Sequence, residues 1–154
     1  MYSNDKLSIE ASDAGGEIAR QLLHELCSEL SERYGTPPSP FSSSDAAAPR
    51  GVFLVAWLNG KAVGCGALRR LDEQTAEIKR MYVAPDGRRK GIARGIIVEL
   101  ERHARRFGYQ AVRLETGILQ PEAQLLYQKM GYQRICAFGS YVGNPTSVCY
   151  ERNL

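Results

Sequence analysis

Grouped cysteines are missing from this 154-residue chain. Its four Cys, at 27, 65, 136 and 149, form no CxxC pair. Zinc-ribbon and thioredoxin-type chemistry therefore fail on spacing, and no metal is expected. Isolated Cys in a domain with a full-sized core are expected as buried, reduced thiols. No apolar run approaches the ~20 residues of a membrane span, so no membrane partner is expected. The opening MYSNDKLSIE has no basic stretch leading into an apolar one. That argues against a secretory leader and for a cytoplasmic protein. No Gly-Lys-Ser/Thr closes a Walker loop. Gly64-Cys65-Gly66 lacks the third glycine and following helix of a dinucleotide fingerprint.

What is present fits one domain over residues 1–154, since two cores would need more chain. A hydrophobic content of 44% is ordinary for a soluble protein, and a charged content of 24% argues against disorder. The net charge of +3 hides an asymmetry. Residues 1–34 carry seven acids and three bases, whereas residues 79–94 carry six bases and one acid, Asp86. A basic cluster this short suits a phosphate group better than a length of nucleic acid.

The hydrophobic periods divide the chain into short elements. Leu7–Ala11 reads as a strand. Ile18, Leu22, Leu26 and Leu30 give residues 14–34 an amphipathic helix with Asp13 as N-cap and Gly35 as its stop. His24 on that helix reads as a surface or half-buried residue. Thr36–Arg50, with four prolines and four serines, is a loop with room for a helical turn at Asp45–Ala48; it could be a substrate lid or a plain surface loop. Val52–Leu58 and Lys61–Leu71 are strands joined at Asn59-Gly60, and Asp72-Glu73-Gln74 turns into a strand over Thr75–Val83. Gly64 and Gly66 within a strand signal a bulge or a close backbone approach, with Cys65 a small core residue between them. A helix over Gly91–Phe107, a strand over Gln110–Glu115 and a helix over Pro121–Met130 follow. Ile135–Phe138 and Val148–Arg152 close the chain as strands. The order predicts an α/β (α+β) sandwich with one mixed sheet between helices.

The informative stretch is Arg88-Arg89-Lys90-Gly91-Ile92-Ala93, between a strand and a helix. A helix start has unpaired N–H groups and partial positive charge, and small residues let an anion approach them. Three basic side chains add charge-assisted donors. A pyrophosphate is the natural ligand.

With its context, this stretch resembles the GNAT superfamily of acyl-CoA-dependent N-acetyltransferases. Arg88-x-x-Gly91-x-Ala93 fits that family's Arg/Gln-x-x-Gly-x-Gly/Ala pattern. Glu77-Ile-Lys-Arg-Met-Tyr-Val-Ala-Pro85 is similar to its fourth strand, and Ala123-x-x-Leu126-Tyr127-x-x-x-Gly131-Tyr132 to its later helix and strand. The resemblance covers about residues 50–154. It implies a mostly antiparallel sheet whose fourth and fifth strands splay apart, helped by a bulge near Met81, and acetyl-CoA as cofactor. Arg88, Arg89, Lys90, Gly91, Ile92, Ala93 and Arg94 would hold the pyrophosphate. Met81, Tyr82 and Val83 would border the pantetheine arm, lying there as an added strand, and Glu115 and Thr116 the thioester. Gln120 occupies a slot that is often Asn in the family; with Ala123 it would face the cofactor.

The resemblance also assigns chemistry. Tyr127 would donate a proton to the departing thiolate. Glu77, eleven residues before Arg88, occupies the offset of the base in one branch of the superfamily. The turn at 72–74 sets Arg69 opposite Glu77, and an ion pair there would make it a poorer base, leaving the amine to lose its proton to solvent instead. Arg69, Arg70 and Arg80, with Arg70 and Arg80 on one face, would favour an acceptor amine that carries an anionic group. The leading expectation is thus acetyl transfer to a small primary amine in a ternary complex, possible homodimerisation included. A non-catalytic acyl-CoA-binding domain, a protein lysine or N-terminal acetyltransferase and a small nucleic-acid-binding domain are the competing expectations; the last lacks aromatics interleaved with the bases.

Overall fold

The computed structural model describes residues 4–38, 42–47 and 49–154. Its strands are β1 (Leu7–Ala11), β2 (Val52–Leu58), β3 (Lys61–Arg70), β4 (Thr75–Val83), β5 (Ala111–Gly117), β6 (Gln133–Ile135) and β7 (Ser147–Asn153). They form one seven-stranded sheet in the order β1-β2-β3-β4-β5-β7-β6. Among the described residues only β4 and β5 pair in parallel; the remaining pairs are antiparallel. The helices are α1 (Glu17–Tyr34), α2 (Ser43–Ala47), α3 (Ile92–Arg106) and α4 (Pro121–Lys129).

Strand alternation sorts the core into two layers. Leu54, Leu68, Ala76 and Ile78 pack with Ile92, Ile96 and Leu100 of α3 and with Tyr127 of α4. Phe53, Val55, Cys65 and Ala67 pack on the opposite face with Ala19, Leu22 and Leu26 of α1. A third cluster, Phe138, Tyr141 and Cys149, sits beside that second face.

Several boundaries differ from expectation. Asp13 does not cap α1. Its Oδ1 accepts the Gly15 N–H at 2.9 Å, and the helix begins at Glu17 with Gly16 as its N-cap. The helical turn lies at Ser43–Ala47 rather than 45–48, and Ala48 is outside the described residues. The sixth strand comes earlier, at Gln133–Ile135, because Phe138–Tyr141 turns inward as an apolar plug with a 3₁₀ turn. Cys27 and Cys136 are exposed, against the expectation of four buried thiols; Cys65 and Cys149 are buried. Burial pushes the Cys65 thiol up to about 12, which keeps it an inert core group. His24 is exposed.

One irregularity in β4 shapes everything downstream. Cys65 pairs with Tyr82 and Ala67 with Lys79, so Gly66 alone faces both Arg80 and Met81. This is a β-bulge, and Arg80 adopts a left-handed backbone, φ 59°. The glycines make it possible. A Cβ on Gly66 would lie 2.7 Å from Ile96 Cγ2, and one on Gly64 would lie 2.8 Å from the Tyr82 carbonyl. Past the bulge the alternation inverts: Ile78 and Met81 both face the α3 layer, while Tyr82 joins the α1 layer.

Candidate active site

Parallel pairing of β4 and β5 runs from Thr75↔Ala111 to Ile78↔Leu114 and then stops. From there β5 stays with β7, and β4 curves away through its bulge. Between the diverging strands lies a cleft of about 280 Å³. Lys79, Arg80 and Met81 line it from β4, Glu115, Thr116 and Gly117 from β5, and Tyr127 from α4. Leu26, Leu30 and Tyr34 of α1 form the opposite wall, continued by Thr36–Pro38. The expected splay and the bulge near Met81 are therefore both present.

Beyond β4 the chain makes a 3₁₀ turn, Pro85–Gly87, and enters α3 through Arg89 (φ 63°) and Gly91 (φ 75°). Gly91 is the N-cap residue, and no side chain caps α3. Its first N–H groups thus retain their capacity to bind an anion. The basic side chains are less uniform than the sequence implies. Arg88 donates through Nε to the Val83 carbonyl at 2.9 Å and pairs with Glu29 of α1. Lys90 pairs with Asp5 at 3.2 Å. The acidic N-terminal segment therefore offsets part of the basic cluster. Arg89 and Arg94 are exposed.

Tyr127 is buried, with Tyr132 and Tyr150 rings 5.9 and 6.2 Å from its own. No described residue hydrogen-bonds to its hydroxyl. Burial first, then the Glu115 charge, pushes its phenol above the ordinary value of 10, so it stays protonated across the neutral range. Gln120 lines the cleft and caps α4; its Oε1 accepts the Tyr34 hydroxyl at 3.2 Å. Tyr34 also accepts the Leu119 N–H at 3.2 Å, and its hydroxyl would lie 1.7 Å from any Cβ on Gly117. Tyr34 thus ties α1 to the β5–α4 connection.

Glu77 stands outside the cleft lining and is fully buried. Arg69 Nε donates to its Oε1 and the Tyr141 hydroxyl to its Oε2, both at 2.7 Å. The Arg69↔Glu77 register follows the expected pairing, and the ion pair is the competing role foreseen for this carboxylate.

The three arginines do not act together. Arg69 is engaged by Glu77, and Arg70 is an exposed residue paired with Glu73. Neither lines the cleft. Arg80 does, because the bulge breaks the alternation that would put it on the Arg70 face. Lys79 joins it in the cleft, with Nζ 5.8 Å from the Tyr141 ring centre. Burial lowers the proton affinity of both Lys79 and Arg80. Alternation along β4 could have suggested Lys79, which shares the Glu77 face; nothing local points to Tyr34 or Tyr141.

A splayed parallel pair, a bulged fourth strand and an uncapped glycine-led helix together define an acyl-CoA-dependent transferase. The sequence pattern of the acetyltransferase (GNAT) family matches residues 19–132, and the chain belongs to that family. It is 35% identical to an IAA acetyltransferase of Azospirillum brasilense, over 87% of this chain and 89% of the relative. A Klebsiella pneumoniae crystal structure, assigned as an acyl-CoA N-acyltransferase, shares 31% identity with a TM-score of 0.82, covering 96% of this chain and 97% of its own. An Elizabethkingia anophelis GNAT acetyltransferase with acetyl-CoA bound shares the fold at 23% identity and a TM-score of 0.71, covering 96% of this chain and 98% of its own. The protein is an acetyl-CoA-dependent acyltransferase. Among the described residues, no helix is long and apolar enough to cross a membrane.

Proposed function

We propose that this enzyme acetylates the primary amine of a small molecule that also carries a carboxylate or phosphate, by direct attack in a ternary complex. The observation behind this is the charge pattern of the cleft. Lys79 and Arg80 stand on one strand and Glu115 on the next, with no other charged side chain among the described lining residues. A zwitterion matches it, its anionic group on the two cations and its ammonium on the carboxylate. A polycation would meet like charge at two of the three positions.

The residues present fit acetyl-CoA, which supplies an activated acyl thioester. The N–H groups at the start of α3, led by Gly91, Ile92 and Ala93, would hold its pyrophosphate, with Arg88, Arg89, Lys90 and Arg94 around them. Beyond Ile78 the β5-facing edge of β4 has no strand partner among the described residues, so Met81 and Val83 would pair with the pantetheine amides, flanked by Tyr82. Glu115, Thr116, Gln120 and Ala123 would border the thioester end. The Tyr127 hydroxyl would hydrogen-bond to the leaving sulfur and hand it a proton.

Thiol release across a panel of amines tests the reading. Amino acids and related anionic amines should turn over, and spermidine and aminoglycosides should not. Lys79→Met should raise the acceptor KM about tenfold, a loss near 1.4 kcal/mol, with a smaller change in kcat. Preferred turnover of polyamines, with none of amino acids, would refute the acceptor assignment.

A further inference from the structure

Acceptor amines with pKa near 10 are mostly protonated at neutral pH and must lose a proton before attack. The cleft holds one carboxylate among its described lining residues, and it is Glu115. It follows Leu114, the last residue paired with β4, and so stands at the point where the two strands part. Its Oε2 accepts the Ser147 hydroxyl at 2.7 Å. Its charge reaches groups on every side: Tyr34 of α1, Lys79 and Arg80 of β4, Tyr127 of α4, and Tyr141. Glu77 lies behind the lining with both oxygens engaged.

Building on the acyltransfer reading above, we propose that Glu115, not Glu77, is the general base that deprotonates the acceptor amine. A Glu115 carboxylate oxygen accepts one proton from the ammonium nitrogen. The freed lone pair forms the N–C bond to the acyl carbon as the C–S bond breaks. The nitrogen's second proton ends on the leaving sulfur by way of the Tyr127 hydroxyl, and Glu115 returns its proton to solvent. Glu77 is then a positioning residue that fixes Tyr141 and Arg69.

The environment of Glu115 suits the task. Burial pushes its carboxyl above 4.5; the Ser147 hydrogen bond opposes this and the Glu77 charge adds to it, with Lys79 and Arg80 pulling the other way. From β7, Cys149 also faces it. A carboxylate raised toward neutrality takes a proton more readily than an ordinary one.

Two measurements decide the matter. In the first, pH profiles of kcat/KM are compared for the wild type, Glu115→Gln and Glu77→Gln, using an amino-acid acceptor found active on the wild type. The wild type should show an acid limb and then a plateau. Glu115→Gln should lose about a hundredfold at pH 7, and its rate should climb tenfold per pH unit toward the pKa of the free amine. Glu77→Gln should keep the acid limb. In the second, carbon-13 NMR follows the Glu115 carboxyl of the wild-type protein without ligand, where the midpoint should lie above 4.5. An unchanged limb in a folded Glu115→Gln, or a Glu115 midpoint at or below 4.5, overturns the proposal. Wild-type thiol release is read before either, so a failure of the transferase reading is seen separately.

Discussion

Tyr127→Phe should lower kcat by roughly 10²–10⁴ while leaving CoA affinity within a fewfold of wild type. The substitution removes one oxygen and keeps the ring, and so preserves the packing against Tyr132 and Tyr150. Burial keeps this phenol protonated and makes it a weaker acid than free tyrosine. In the proposed role its contribution would centre on a hydrogen bond that strengthens as negative charge develops on sulfur, with the proton following. Such a bond acts in the transition state more than in the ground state, which is why kcat should carry the loss. Single-turnover rates, which isolate chemistry from product release, are the readout. A folded mutant with wild-type single-turnover rate would reduce Tyr127 to a packing residue.

Arg152→Ala should cost about 3 kcal/mol of stability or more. Glu101 of α3 is buried, and its two oxygens accept Arg152 Nη1 at 2.7 and 2.8 Å and the Tyr132 hydroxyl at 2.8 Å. Removing the guanidinium leaves a buried carboxylate with one neutral donor. The pair holds α3, whose N-terminus is the proposed pyrophosphate site, against β7. Replacing both partners, Glu101→Met with Arg152→Met, should recover most of the loss, because the cost lies in the unpaired charge rather than in the missing attraction. Urea denaturation gives the numbers. A single mutant within 1 kcal/mol of wild type would show that water reaches Glu101.

Much of this was legible in the sequence, for identifiable reasons. Asn59-Gly60 and the turn at Asp72–Gln74 set the β2–β3–β4 meander and the Arg69↔Glu77 register, since short hairpins leave little freedom. Gly64 and Gly66 announced the bulge. What they could not reveal was its side effect. One extra residue in β4 inverts the faces beyond it, bringing Arg80 into the cleft and leaving Arg70 outside. Glu77 was found by its offset from Arg88, yet whether a strand residue reaches a cleft depends on what covers it. The cover is Tyr141, 64 residues away, from a loop with no periodic signal. The tie made by Tyr34 is equally illegible in sequence, because its partners Leu119 and Gln120 are 85 and 86 residues distant.

If the start of α3 binds the CoA pyrophosphate, calorimetric titration of CoA into wild type, Gly91→Asn and Gly91→Asp will show it. Gly91 has a left-handed backbone, and an added Cβ would meet no atom within 4 Å. Asn and Asp tolerate that conformation better than other side chains, so both variants should fold, as circular dichroism will verify. They are nearly equal in shape and differ in charge. Gly91→Asp should bind CoA at least tenfold more weakly than wild type, about 1.4 kcal/mol or more, with Gly91→Asn between the two. Equal CoA affinity in all three folded proteins would contradict it.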